Sequence, residues 1–202
     1  MEGKSNVGFA GGSNPQLRVL HWSTVVGVVL AEITAYYRHW YTTQTETINW
    51  YLLIIHMNVG VVVLLLSCTM LILRFRLVKI AQKQKTDHFT SAKLISAKIL
   101  HFTLYGMLIV MPISAYIGIG FDLPLFGIVT LPSFVSLEFV QQWVEQSLDM
   151  LIITFLEPFA KFHRDIGADI ILPILLLVHI GAAIYNLKTQ QSIKNTIDSL
   201  MK

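Results

Sequence analysis

Four long apolar stretches dominate the amino-acid sequence. They cover residues 17–37, 50–73, 97–118 and 161–188, and the fourth could begin as early as Pro158. A bilayer core of about 30 Å requires roughly 20 consecutive apolar residues in a helix, so each stretch is long enough to cross a membrane. Proline also suits a first helical turn. The pattern predicts an all-α membrane protein whose four transmembrane helices form a bundle.

Composition agrees with this prediction. Of the 202 residues, 54% are hydrophobic and only 13% are charged, which excludes an ordinary soluble domain. The single cysteine, Cys68, lies inside the second apolar stretch, so neither a disulfide framework nor a thiolate metal site is expected. We expect a flexible tail at residues 1–16, a transmembrane domain at residues 17–188 and a second tail at residues 189–202.

The connections between the apolar stretches differ in charge. The connection between the second and third stretches carries one acid, Asp87, and seven basic residues: Arg74, Arg76, Lys79, Lys83, Lys85, Lys93 and Lys98. Short basic loops remain in the cytoplasm, so this loop and both termini are predicted to be cytoplasmic. The long loop at residues 119–160 then lies outside. It has no lysine or arginine and contains Asp122, Glu138, Glu145, Asp149 and Glu157.

The outer loop also contains a segment with the periodicity of an amphipathic helix. Its apolar positions are Val140, Trp143, Leu148, Leu151 and Ile152. Such a helix can lie at the membrane surface, cap the bundle or serve as a docking site for another protein.

Five of the seven histidines lie in or at the ends of the apolar stretches, where an ionisable group is costly and therefore a functional candidate. The predicted orientation sorts them by depth. His56 and His163 lie toward the outside, whereas His21, His101 and His179 lie toward the cytoplasm. Two imidazoles on facing helices are what a six-coordinate haem iron requires, one on each face of the porphyrin.

Other interpretations of the histidines remain open. A histidine near a helix end often makes only interfacial hydrogen bonds, and a transporter can use buried histidines as a proton relay. A relay usually adds intramembrane carboxylates, for which only Glu32 is a candidate. A zinc site is disfavoured because the histidines are divided between two depths. Small residues that would leave room for a macrocycle are Gly27, Gly60, Gly106, Gly167, Gly181 and Ala182.

Four segments of the sequence resemble, in order, the four helices of the bacterial cytochrome b561 family, which includes the membrane-bound superoxide oxidases. The segments are LRVLHWSTVVGVVL, LLIIHMNVGVVVLLL, KILHFTLYGMLIVMPISAYIGI and FHRDIGADIILPILLLVHIGAAIY. The outer-loop segment LFGIVTLPSF is also similar to the corresponding family loop. The resemblance extends from Leu17 to about Leu187.

The resemblance implies a diheme b-type cytochrome of the bacterial inner membrane. In this family His21 and His179 would ligate the inner haem iron, and His56 and His163 the outer one. His101 matches a family histidine that is not an axial ligand. The superoxide oxidases pass electrons from superoxide to ubiquinone, so a quinone site is implied. His101 and Lys98 are the residues that we assign to it.

The chain departs from the family pattern in three ways. The family usually separates the two histidines of the fourth helix by about fourteen residues, which return to nearly the same helix face, whereas sixteen residues rotate by about 160°. Pro173 lies between them and is the predicted cause of a compensating bulge. Tyr185 and Asn186 replace a histidine pair that often follows the inner ligand. The outer loop is acidic, whereas a site for the superoxide anion should be electropositive.

The leading hypothesis is therefore single-electron transfer between an outer-face donor, with superoxide as the candidate, and membrane quinone. One alternative is a haem-bearing membrane anchor that exchanges electrons with a separate dehydrogenase. A second alternative is a haem-free transporter. The expected partners are membrane lipid, quinone and an outer-face redox partner, and no feature points to nucleic acid.

Overall fold

The chain is mostly helical, and four helical segments are long and apolar enough to cross a membrane. The computed structural model describes residues 15–82 and 92–201, with side chains for residues 15–77 and 97–201. The four segments are Pro15–Tyr41, Thr47–Leu77, Ala97–Gly118 and Ile152–Leu200. The prediction of four apolar helices of membrane-spanning length is confirmed. The orientation of the termini stays a prediction.

Most of the helices are longer than the apolar stretches alone. Helix α1 is Pro15–Tyr41, α2 is Thr47–Gln82, α3 is Ala92–Gly118 and α6 is Leu172–Leu200. Residues 189–200, predicted as a tail, continue α6, and from residue 190 onward their side chains are exposed. Most of the first tail, residues 1–14, and the centre of the basic connection, residues 83–91, lie outside the described residues.

The fourth span contains a change of helix type. It consists of α5 (Ile152–Lys161), a π-helix (Phe162–Ile171) and α6. Pro173 is the second residue of α6. Because proline has no N–H and its ring would clash with the carbonyl of Asp169 in a regular α-helix, wider turns before it relieve the clash. The predicted bulge therefore takes the form of a π-helix that precedes the proline.

Two glycines bring helices into close contact. A Cβ atom added at Gly27 of α1 would lie 2.7 Å from the Val63 side chain of α2. One added at Gly118, the last residue of α3, would lie 2.7 Å from the backbone nitrogen of Ala160 in α5. Glycine at position 27 lets the Val63 side chain pack against the backbone of α1, and glycine at position 118 lets the backbones of α3 and α5 come into contact.

A short β-hairpin follows α3 in the outer loop. Strand β1 (Leu123–Leu125) pairs antiparallel with β2 (Val129–Leu131), and the turn uses positive φ angles at Phe126 and Gly127. The side chain of Asn58, buried in α2, fastens this hairpin to the bundle. Its amide donates to the carbonyl of Pro124 at 3.0 Å, and its oxygen accepts from the N–H of Phe126 at 2.8 Å.

The rest of the outer loop forms a 3₁₀ turn (Phe134–Ser136), a short helix and an irregular connection. Helix α4 (Glu138–Gln142) continues as a π-helical turn (Trp143–Ser147) before α5 begins. Val140 and Val144 are its buried side chains, because they lie four residues apart on one face. Trp143 and Leu151, which the sequence assigned to the apolar stripe, are 49% and 72% exposed. The buried face of this helical segment is therefore narrower than the predicted apolar stripe, and it consists of Val140 and Val144.

Candidate functional site: two levels of paired histidines

The outer pair of histidines, His56 of α2 and His163 of the π-helix, face each other inside the bundle. Their ring centroids lie 6.1 Å apart, and the ring planes are inclined by 78°. An imidazole nitrogen binds a metal ion at about 2.0 Å and its ring centre lies roughly 1.1 Å behind, so two imidazoles on opposite sides of one iron have centroids about 6.2 Å apart. The observed separation fits an iron between the two rings.

Both outer rings are held through their Nδ1 atoms by backbone carbonyls. The His56 Nδ1 lies 2.9 Å from the oxygen of Ala31 in α1, and the His163 Nδ1 lies 2.9 Å from the oxygen of Met111 in α3. A carbonyl oxygen can only accept, so each Nδ1 carries the proton and donates it. The Nε2 atom of each ring is then the unprotonated one and is available to bind a metal.

The inner group contains three histidines from three helices. The ring centroids of His21 (α1) and His179 (α6) lie 6.3 Å apart, and those of His101 (α3) and His179 lie 5.1 Å apart. The first separation fits an iron held between two imidazoles, whereas the second is about 1 Å too short for it. The geometry therefore favours His21 and His179 as the ligand pair, with His101 beside them.

His101 is held on its own helix. Its Nδ1 lies 2.6 Å from the carbonyl oxygen of Ala97, one turn earlier in α3. Lys98 is exposed and lies three residues before His101, on the same side of the helix. These two residues, which form the predicted quinone site, are thus close in space at the inner end of α3. Their role stays a prediction.

The distance between the two levels can be read from two helices independently. His21 and Ala31, whose carbonyl holds His56, are ten residues apart in α1. His101 and Met111, whose carbonyl holds His163, are ten residues apart in α3. Ten residues of α-helix extend about 15 Å, which is half of a hydrocarbon core of about 30 Å. Placed symmetrically about the bilayer centre, the two levels would each lie about midway between the centre and one surface.

The π-helix explains how one helix supplies a histidine to each level. An i→i+5 helix has about 4.4 residues per turn, or roughly 82° per residue. Eight of the sixteen steps from His163 to His179 lie in the π-helix and the other eight follow it. At these pitches His179 returns to within roughly 20° of the face of His163, instead of the 160° of a continuous α-helix. Both rings consequently point into the bundle.

The small residues proposed to leave room for a macrocycle fall into two groups. Gly27 and Gly167 pack helices together, since an added Cβ would meet Val63 at Gly27 and the Met111 sulfur at Gly167. At Gly60, Gly106 and Gly181 an added Cβ would meet no atom of the described residues within 4 Å. Gly60 lies one turn from His56, on the same face of α2. Of these glycines, it is the one that leaves open space beside a paired histidine.

The residues therefore fit a haem at each level in donor type and separation, and the outer pair also fits in tautomer and ring orientation. Comparison with known proteins gives an independent result. Residues 13–196 match the model of a protein family described as prokaryotic cytochrome b561. Neither the search of curated proteins nor the search of solved structures found a match. The family model covers most of the chain, and the chain therefore belongs to the prokaryotic cytochrome b561 family, multi-pass membrane proteins that bind b-type haem and transfer electrons.

Proposed function

We propose that this protein is a diheme cytochrome that transfers single electrons between a donor at the outer face and quinone in the membrane. The observation that carries the proposal is the pairing of four histidines at two levels, with centroid separations of 6.1 and 6.3 Å. Haem b bound at each level would supply reversible one-electron chemistry at its iron. The chain's own residues would hold, orient and insulate the two groups.

The outer imidazoles are the better fixed pair. Each has its Nδ1 proton committed to a carbonyl on a neighbouring helix, which fixes both the tautomer and the ring orientation. The hydrogen bond also raises the basicity of the Nε2 atom that would bind iron. At the inner level His21 and His179 would be the axial pair. His101 and Lys98 would line the route to quinone, because His101 lies beside His179 and Lys98 precedes it by three residues on the same side of α3.

The charge of the outer face indicates which kind of electron donor can bind there. Glu138, Glu145, Asp149 and Glu157 are all exposed, and the described loop at residues 119–160 contains no lysine or arginine. The nearby cations Lys161 and Arg164 are paired with Glu157 at 2.7 Å and Asp165 at 2.5 Å, and the half-buried Arg38 donates from its Nε to Asn49 at 2.9 Å. Such a surface repels a small anion and attracts a basic protein. This observation favours the second candidate function, an electron-transfer subunit that receives electrons from a cationic protein partner.

Haem content tests the central proposal. Protein purified from membranes should carry two b-type haems per chain, measured as the pyridine haemochrome against protein concentration, and its dithionite-reduced spectrum should show low-spin bis-imidazole bands. One haem per chain would contradict the diheme assignment. A colourless protein that is folded by circular dichroism would support the haem-free transporter instead.

A superoxide flux separates the two donors. Haem reduction by enzymatically generated superoxide, abolished by superoxide dismutase and observed without any other protein, supports superoxide as the donor. If dithionite reduces both haems but superoxide reduces neither, the oxidase hypothesis fails and the partner-dependent function remains.

A further inference from the structure

Arg74, the first residue of the basic connection, belongs to the inner histidine group. It lies in α2, and its charge is close enough to act on the imidazoles of both His21 and His179. Its Cζ atom lies 5.4 Å from the centroid of the Tyr105 ring, the separation of a cation–π contact. Tyr105 itself is buried and lies one turn after His101 in α3. All four spans thus contribute a side chain to this level.

The guanidinium of Arg74 lacks part of its hydrogen bonding. Its Nε atom is buried and has no hydrogen-bond partner among the described residues. A charged donor that is buried without a partner destabilises the fold. In the described part of the chain the carboxylates engaged in ion pairs are Glu157 and Asp165, which lie at the opposite end of the bundle and pair with Lys161 and Arg164. No carboxylate of the described residues pairs with Arg74, so an anion that completed its hydrogen bonding would have to come from elsewhere.

We infer that Arg74 binds a propionate carboxylate of the haem held between His21 and His179, with the Tyr105 ring keeping the guanidinium in place. The inference rests on the proposed haem at the inner level. Arginine suits this role because its planar fork matches a carboxylate and remains charged at all physiological pH values. A cation fixed beside a haem also stabilises the reduced state, which carries one more electron. Arg74 would therefore raise the reduction potential of the inner haem relative to a neutral side chain.

The chain offers a matched control. Arg76 lies two residues further along α2, carries the same charge and is exposed. Two residues of α-helix rotate by about 200°, so its side chain points away from the histidine group. The test measures the midpoint potentials of both haems by spectroelectrochemical titration, together with the haem content, in R74Q, R74K and R76Q.

The expected result is specific to one haem. R74Q should lower the midpoint potential of the inner haem and leave that of the outer haem unchanged, R74K should lower it less, and R76Q should alter neither. If R74Q loses the inner haem altogether, the midpoint potential of the inner haem in R74K tests the inference instead. An inner haem retained at a lowered potential supports the inference, and one with the wild-type potential overturns it.

Two results would overturn the inference while leaving the diheme assignment intact. One is R74Q with both haems bound at wild-type potentials. The other is an equal shift in R74Q and R76Q, which would reflect general surface charge. If the R74Q potentials are unchanged but phospholipid that co-purifies with the wild type is lost, a lipid phosphate is the anion instead. Absence of haem from the wild type would contradict the proposed function itself.

Discussion

The Nδ1 atom of His163 lies 2.9 Å from the carbonyl oxygen of Met111, so the third span determines how the fourth presents its outer imidazole. His56 has the equivalent contact with Ala31 in the first span. The outer pair thus depends on four helices, although two of them contribute only a backbone carbonyl. This arrangement makes the positions of whole helices, and not only the two histidines, part of the site.

Replacing an outer histidine should remove one haem. H56A and H163A should each contain one haem per chain in place of two, because one imidazole remains to bind the iron and a six-coordinate b-type site needs both. H39A is the matched control, since His39 is exposed at the outer end of α1. It should retain two haems. The haem content of all three variants is measured as the pyridine haemochrome. Two haems per chain in H163A would show that the outer ligand is another residue.

The inner group yields a different comparison. H21A and H179A should each lose the inner haem, whereas H101A should keep both, because the 5.1 Å separation of His101 and His179 is too short for two ligands of one iron. H101A should instead oxidise its haems more slowly when a water-soluble quinone analogue is added. The rate is measured by stopped-flow absorbance. Loss of the inner haem in H101A together with its retention in H21A would reverse the ligand assignment.

The haem content of variants with deletions in the π-helix should depend on the helical register between His163 and His179. Removal of Ile170 and Ile171 shortens the distance between the two histidines to about fourteen residues, which a plain α-helix returns to nearly the same face. This variant should keep both haems. Removal of Asp169 as well leaves about thirteen residues and rotates the histidines by about 140°, so it should lose one haem. Equal haem contents in the two deletion variants would show that the π-helix does not set the register.

The contact between α3 and α5 should be sensitive to a single methyl group. G118A places a Cβ against the backbone of Ala160, which cannot move as a side chain would, and overpacking of this kind costs about 1–3 kcal/mol. We expect a lower apparent melting temperature and weaker retention of the outer haem on heating. G120A is the control, because an added Cβ there meets no atom within 4 Å in the part of the chain that the structure describes. The melting curve, followed at the haem absorbance, should distinguish them.

The buried side chain of Asn58 should hold the outer hairpin in place. N58A leaves the Phe126 N–H and the Pro124 carbonyl without their partners, at a cost of about 1–3 kcal/mol for each group that water does not reach. Hydrogen exchange at residues 123–131 should therefore accelerate. N195A, on the exposed end of α6, should leave this exchange unchanged. Slow exchange retained in N58A would show that other contacts fix the hairpin.

Much of the architecture was predictable because membrane proteins are constrained by length and polarity. Runs of about 20 apolar residues leave few alternatives to a transmembrane helix. Depth also follows from position along a helix, which is why His56 could be grouped with His163, and His21 with His179, before any coordinates. In contrast, the contributions of Gly27 and Gly167 were misjudged. A small residue leaves space only when no neighbouring helix fills it, and in this fold Val63 and Met111 fill that space.

By itself the sequence determined the four spans, the family and the two levels of histidines, because each of these depends on composition or spacing along one chain. The tertiary structure decided which contacts each side chain makes. It showed that the predicted bulge is a ten-residue π-helix, that carbonyls of Ala31 and Met111 lie behind the outer imidazoles, and that Arg74 lies among the inner ones. These features arise where helices distant in sequence meet. Hydrogen bonds and close packing depend on that approach, which no local pattern encodes.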